Sequence, residues 1–414
     1  MTRASSTYVI ESADGGILAP AGFSASGVAA GIKRPGRLDV CVIDAAAPVA
    51  AAAVFTRNTM AAAPVSWSRQ AVSDGTLRAW VVNAGNANAC TGATGEADAR
   101  AMAEQTARLL GCAPQDVGVA STGVIGVPMP MPTVGAGIEA AIAALGSKRE
   151  HATQAAAAIM TTDTFAKESA CRVTVDGTSF AVGGIAKGSG MIMPDMATML
   201  AFLTTDAPLD AEACRAALTL AAGRTFNRIT VDGDTSTNDT AALMASGAAT
   251  IVDGAPITVA HPAFDAVAAA VTHVCAELAR MIVRDGEGAT KLVSVVVRGA
   301  ASAHDAEAAA RTIANSPLVK TALFGGDANW GRVAMALGNS GADVDPDRVD
   351  IVFAGIPTCT GGTAVAFDED AAALALSADE IELLVDLHLG EFEATVLTCD
   401  LTYEYVRING AYRT

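Results

Sequence analysis

Hydrophobic and polar positions divide this chain into alternating helical and extended segments. "LRAWVVNAG" (Leu77 to Gly85) is an apolar run that predicts a strand ending in a loop. "GEADARAMAEQTARLLG" (Gly95 to Gly111) predicts an amphipathic helix stopped by a glycine. "DVGVASTGVIG" (Asp116 to Gly126) predicts a short strand running into a small, polar turn. "ACRVTVDGTSFAVGG" alternates on both sides of Asp176-Gly177 and predicts a hairpin. "GGIAKGSGMIMPDMATMLAFL" (Gly183 to Leu203) predicts a glycine-rich turn leading into a buried strand or helix.

Further along, "DAEACRAALTLAAG" (Asp210 to Gly223) and "FDAVAAAVTHVCAELARMIVRDG" (Phe264 to Gly286) predict helices, the second one long. "FNRITVDGDTSTNDT" (Phe226 to Thr240) reads as a strand followed by a polar loop. The tail from Phe392 alternates as strands up to Ile408 and ends in a polar hook. Interleaved helices and strands, with hairpins among them, imply a mixed α/β layered fold rather than a purely parallel one.

At 414 residues the chain is long enough for two or three domains. Only 4% of residues are aromatic although 51% are apolar, so alanine, glycine and valine do much of the packing. A formal charge of −17 argues against nonspecific binding to nucleic acid or an anionic membrane. It leaves room for a small anionic ligand at a local positive site. The eight cysteines are scattered, without a CxxC pair or a histidine at metal-ligand spacing, so no metal site is expected. The N-terminus lacks a signal-peptide core and no apolar run reaches bilayer length, which makes a cytoplasmic protein the expectation.

Familiar catalytic patterns fail. "GIAKGSG" and "GEGATK" do not place a lysine as a phosphate-binding loop requires, and no GxSxG elbow is present. What remains is a set of polar residues in small-residue surroundings. They are Asn83, Asn86 and Asn88; Ser121, Thr122 and Gly123; Thr161, Thr162 and Thr164; Lys187; Thr198; Glu287; Asn409; and Thr414. Each alone has an ordinary reading as a turn or cap.

Thr198 is the exception. A threonine hydroxyl needs an adjacent base, and the α-amine of an N-terminal threonine, with a pKa of about 7.7–8.0, can serve. Cutting the Ala197-Thr198 bond would create that state, and the small Ala197 leaves room for attack on its carbonyl.

"KGSGMIMPDMATMLAF" resembles the self-cleavage segment of the ornithine acetyltransferase (glutamate N-acetyltransferase) family. "APAGFSASGVAAGIK", "VVNAGNANACTG", "STGVIG", "TTDTFAK", "FNRITVDGDTSTNDT", "GDANWGR" and "YVRINGAYRT" resemble the same family in the same order, across essentially the whole chain. The resemblance implies a mixed-sheet layered sandwich of the type shared with self-cleaving aminopeptidases. It implies cleavage between Ala197 and Thr198 into interwoven fragments 1–197 and 198–414, assembled as a heterotetramer of two copies of each.

It also implies that Thr198 is the nucleophile and that Thr122 and Gly123 form the oxyanion hole. Lys187, Glu287, Asn409, Thr414 and a threonine of "TTDT", with Thr161 favoured over Thr162 and Thr164, match substrate-binding positions together with Thr198. The implied substrates are N2-acetylornithine and glutamate, with no cofactor and with acetyl-CoA left open as a second donor. Two readings compete: an N-terminal-nucleophile aminopeptidase that uses water as the acceptor, and an uncut binding protein without activity.

Overall fold

The computed structural model describes residues 7–193, 199–251 and 254–411. Nine strands form the larger sheet: β1 (Tyr8–Ser12), β2 (Ser24–Val28), β3 (Val40–Phe55), β4 (Thr76–Asn86), β5 (Val117–Val124), β6 (Lys167–Val175), β7 (Thr178–Lys187), β8 (Leu200–Thr205) and β9 (Thr240–Ala245). Their order is β1-β6-β7-β8-β9-β3-β4-β5, with β2 paired to β3. Antiparallel pairs predominate, but β8–β9 and β4–β5 are parallel, so the sheet is mixed. β8 and β9 lie between β7 and β3. Strands on either side of residue 198 thus share one ladder.

The sheet is covered on both faces, and β8 shows how the sequence achieves this. Leu200 and Phe202 point to one face, packing with Trp80, Ile185 and the helix Arg149–Ala158. Met199, Ala201 and Leu203 point to the other, toward the helices Ala211–Arg224 and Phe264–Arg284. A strand apolar on both faces is the pattern a doubly covered sheet requires. The helix Phe264–Arg284 is long and apolar enough to cross a membrane, but here it is the core helix against β6 and β7. The expected hairpin is β6–β7, with Asp176 and Gly177 both at positive φ, as a twist-matched two-residue turn demands.

The second sheet holds β10 (Leu292–Ala300), β11 (Asp350–Phe353), β12 (Ile356–Thr360), β13 (Thr363–Ala364), β14 (Glu380–Asp386) and β15 (Phe392–Cys399). Its order is β13-β12-β11-β14-β10-β15, and it has its own core against the helices Ala303–Asn315, Pro317–Gly325 and Trp330–Gly338.

Two expectations are corrected. The stretch after Phe226 forms a short 3-10 turn, Phe226–Arg228, and then loop; the strand begins only at Thr240. The apolar Ile229 and Val231 suggest a strand, yet their neighbourhood bonds singly to two different segments. Thr230 N–H donates to Leu397 O (2.9 Å) and Val231 N–H to Ile192 O (2.7 Å), so this loop ties β15 of the second sheet to the turn that follows β7. The tail is a strand only to Cys399 and then forms the helix Tyr403–Ala411. Thr402 Oγ1 accepts the Glu404 N–H at the helix start, and Arg407 pairs with Glu404 one turn away.

Candidate active site

The ends of β5 and β7, the loop 230–239, the turn after the long helix and the C-terminal helix converge on one cavity of about 220 Å³. At the end of β5 the ladder with β4 is irregular, and Asn86 faces both Thr122 and Val124. Gly123 sits at φ +133°, and a Cβ there would lie 2.4 Å from the Gly85 carbonyl carbon. Only glycine fits this point. The asparagines of "NAGNANACTG" brace the wall. Asn83 accepts from Ser121 Oγ at 2.6 Å and donates to Asn86 O, while Asn86 donates to Val127 O and Pro128 O. Asn238 Nδ2 reaches Ala87 O and Ser121 O, which locks the loop 230–239 onto this wall.

β7 ends at Lys187, and the following turn is held from beneath. Gly188 N–H donates to Asp163 Oδ1 at 2.7 Å. Asp163 also accepts from Lys167 Nζ at 2.7 Å and from Thr161 N–H at 2.9 Å. Lys167 bonds Asp285 at 2.5 Å, and Thr164 bonds the same carboxylate through its N–H and its hydroxyl. "TTDTFAK" is therefore a buried ionic clamp that presents Thr161 and Thr162 to the cavity. Burial would raise the Asp163 carboxyl, but the Lys167 and Lys187 charges hold it well below the usual carboxylate range.

Opposite Lys187, Glu287 N–H donates to Ser189 O, and the Glu287 carboxylate packs on Gly190. Asn409 Nδ2 on the C-terminal helix donates to Glu287 Oε2 at 2.7 Å. Lys187 makes no hydrogen bond or ion pair among the described residues, although it is only 8% exposed. Burial lowers its pKa against the pull of Asp163, Asp239 and Glu287. Asp239 is buried with Oδ2 unpartnered, and burial raises its pKa well above the ordinary carboxylate range despite Ser236 and Lys187. Among the described residues, the cavity thus holds an ammonium without a hydrogen-bond or ion-pair partner and a carboxyl group with one unpartnered oxygen. Among the described residues no three His, Cys, Asp or Glu side chains gather as metal ligands.

Of the residues singled out in the sequence, Thr122, Gly123, Thr161, Thr162, Lys187, Glu287 and Asn409 all line this cavity. Thr162 Oγ1 is engaged with Ser189 Oγ at 2.6 Å, whereas Thr164 is turned to Asp285 and lies off the wall. Ala197, Thr198 and Thr414 lie outside the described residues. Met199 and Leu200, which follow Thr198, line the cavity, and Met199 O accepts the Thr240 N–H at 3.0 Å.

The ArgJ family profile matches residues 24–414. The chain belongs to the ArgJ family. Among ArgJ relatives, the arginine biosynthesis bifunctional protein ArgJ of Symbiobacterium thermophilum is 54% identical, covering 97% of this chain and 99% of its own. The Geobacter sulfurreducens protein of the same name is 50% identical over 95% and 99%. The crystal structure of an ornithine acetyltransferase complexed with ornithine, from Mycobacterium tuberculosis, is 40% identical over 46% of this chain and all of that one, with a TM-score of 0.42.

Sequence reasoning missed part of the wall of this ArgJ-family cavity: Asp232, Asp234, Ser236, Thr237, Asn238, Asp239 and Tyr405. The signal is the density of acids and hydroxyls in "VDGDTSTNDT", a segment that resembles the family but whose pattern alone reads as a polar loop. Asp232 anchors the turn after β7 by accepting the Met191 and Ile192 N–H groups at 2.6 and 2.8 Å.

Proposed function

We propose that this chain is a glutamate N-acetyltransferase of arginine biosynthesis that moves an acetyl group from N2-acetylornithine to glutamate through an acetylated Thr198. In this reading the chain cuts itself between Ala197 and Thr198, and the fragments 1–197 and 198–414 stay joined through the shared ladder of β7, β8, β9 and β3. The observation that carries it is the convergence of Thr122–Gly123, Lys187, Glu287 and Asn409 on the cavity that Met199 enters, in a chain matched by the ArgJ family almost end to end.

The chemistry follows from the parts. The freed α-amine of Thr198 takes the hydroxyl proton as Oγ attacks the acetyl carbonyl. Backbone N–H and hydroxyl donors at Thr122 and Gly123 face the oxyanion of each tetrahedral intermediate, and losing one such donor costs about 2.7–4 kcal/mol of barrier. The protonated amine returns its proton to the leaving ornithine amine. Glutamate's amine then takes the acetyl group by the reverse steps. The Lys187 ammonium, which has no partner among the described residues, receives a substrate carboxylate, and it disfavours protonation of the nearby α-amine. Glu287, held by Asn409, faces the ornithine side-chain ammonium.

Steady-state kinetics test this. Ornithine leaves before glutamate enters, so double-reciprocal plots for the two substrates run parallel, and a denaturing gel shows two fragments. Intersecting lines with an uncut chain would sink the proposal.

A further inference from the structure

Glutamate as acceptor poses a charge problem that the reaction cavity does not solve by itself. The cavity wall carries four acids, Asp232, Asp234, Asp239 and Glu287, and among the described residues Lys187 is its one cation. N2-acetylornithine brings one carboxylate and one side-chain ammonium, which Lys187 and Glu287 match. Glutamate brings two carboxylates, and a second one left among these acids is disfavoured by repulsion and by lost solvation. Such an acceptor needs a second cation close by. A recess of about 500 Å³ supplies it: the recess shares Thr161 and Thr162 with the reaction cavity and is lined by Lys33, Arg34 and Arg37. Its acid among the described residues, Asp163, is already engaged by Lys167 and by the Thr161 and Gly188 N–H groups.

The cations are held in place by the fold. Asp39, fully buried, accepts four successive backbone N–H groups, from Ala30 (2.6 Å), Gly31 (3.0 Å), Ile32 (2.7 Å) and Lys33 (3.0 Å), so the loop is set before any ligand arrives. The Lys33 stem packs on the end of β4. A Cβ at Gly85 would lie 3.2 Å from Lys33 Cγ, and one at Gly123 would lie 2.4 Å from the Gly85 carbonyl carbon. Gly85 alone thus separates Lys33 from the wall where Thr122 and Gly123 stand. Lys33 Nζ donates to Leu38 O (2.7 Å) and Ala158 O (3.1 Å), which leaves one of its three N–H groups for a ligand. Burial lowers its pKa to about 8 against the pull of Asp39, and the charges of Asp163 and Lys187 reach it as well. Arg34 and Arg37 make no side-chain hydrogen bond or ion pair among the described residues.

We propose that this recess receives the side-chain carboxylate of the acceptor on Lys33, with Arg34 and Arg37 supplying the surrounding positive field, and thereby selects glutamate as the amino acid that takes the acetyl group. The inference rests on the acetyl-transfer reading above. The reaction fixes only the acceptor's amine, which must meet the acetyl carbon. Rotation about the line from that amine to the α-carboxylate, held at Lys187, turns the glutamate side chain away from Glu287 and over Thr161 and Thr162. The same three cations repel the ornithine ammonium and leave it to Glu287. Two amino acids with tails of opposite charge thus use one reaction cavity, because each tail has its own charged wall.

Isotope exchange separates the two tails. In a ping-pong reaction, N2-acetylornithine and labelled ornithine exchange the acetyl group without glutamate, so exchange reads the donor side alone. The whole protein is compared with Lys33→Met and with the double variant Arg34→Ala/Arg37→Ala. The double variant removes side chains that hold nothing in the described fold, so it carries the test even where melting temperature shows Lys33→Met to be unfolded. The expected result is a fall in kcat/KM for glutamate of at least about tenfold in Lys33→Met and about threefold or more in the double variant, with exchange kept within about twofold of wild type. The preference for glutamate over glutamine should shrink by the same factor as kcat/KM for glutamate, since only the charged tail uses Lys33. An unchanged kcat/KM for glutamate, an unchanged glutamate-to-glutamine ratio, or equal losses of exchange and of transfer to glutamate in a folded variant overturns the proposal. Failure of the acetyl-transfer reading shows separately, as absence of both exchange and transfer in the wild type.

Discussion

Lys167 and Lys187 are buried lysines on neighbouring strands, with Lys167 opposite Ala186 in the β6–β7 ladder, and the fold treats them in opposite ways. Lys167, 0% exposed, bonds two carboxylates, Asp163 and Asp285, which are themselves bonded to backbone and to Thr164. Lys187 is nearly as buried and makes no hydrogen bond or ion pair among the described residues. The same division separates the acids: Asp163 is saturated and held ionised, while Asp239 has an orphan oxygen and a raised pKa. A buried ionic group that is fully paired holds a shape; one left unpaired is held ready for a ligand, since the desolvation it suffers is offset only when a partner arrives.

Substitution should separate the two lysines most strongly. Lys187→Met should lower kcat/KM by about 10²-fold or more, through loss of the proposed contact to a substrate carboxylate, with the melting temperature held or raised. Lys167→Met should do the reverse, leaving Asp163 and Asp285 buried and uncompensated at a cost of about 3–5 kcal/mol in stability. Chemical denaturation beside activity assays reads both. Equal loss of stability in the two variants would abolish the distinction.

The two acids should give pH dependences of opposite sign. Asp163 has a lowered folded pKa, so its contribution is present above the ordinary Asp pKa of about 3.9 and is lost as pH falls below it. Asp163→Asn should therefore destabilise strongly at neutral pH and less in acid. Asp239 has a raised folded pKa, so the folded state binds the extra proton, and stability falls as pH rises from about 3.9 toward the folded pKa. Asp239→Asn should remove that slope and be the more stable protein at neutral pH. Denaturant midpoints measured across pH decide; parallel profiles for the two variants would show that both carboxyls titrate alike.

A smaller effect is expected at Glu287. Under the proposed function, its carboxylate would favour the ornithine ammonium and repel the glutamate side chain. Glu287→Gln should raise the Michaelis constant for N2-acetylornithine more than that for glutamate. Equal rises would mean that Glu287, through Asn409 and Ser189, only orients the wall.

The sequence made local pattern legible and left the tertiary pairing of charges hidden. The β6–β7 hairpin, the helix Phe264–Arg284 and the buried strand β8 carry their own signals in turn chemistry and apolar spacing. The loop 230–239 does not, because its bonds run to scattered partners, Leu397 in β15, Ile192 after β7 and Ser121 in β5, and no periodicity results. The helix Tyr403–Ala411 was hidden by side chains that alternate in polarity as a strand's would. Lys187, Glu287 and Asn409 were legible through family resemblance. Asp239 was not, since its significance lies in the missing partner of Oδ2, which is a property of burial.

Acetylation of Thr198 is the central claim, and the mass of the C-terminal fragment tests it most directly. The protein is incubated with N2-acetylornithine alone, quenched in acid and measured intact, then digested to place the modification. The expected result is a fragment beginning at Thr198 that carries one acetyl group on that residue, discharged when glutamate is added before the quench. A full-length chain, or a 198–414 fragment that stays unmodified while acetyl transfer to glutamate proceeds, would contradict it.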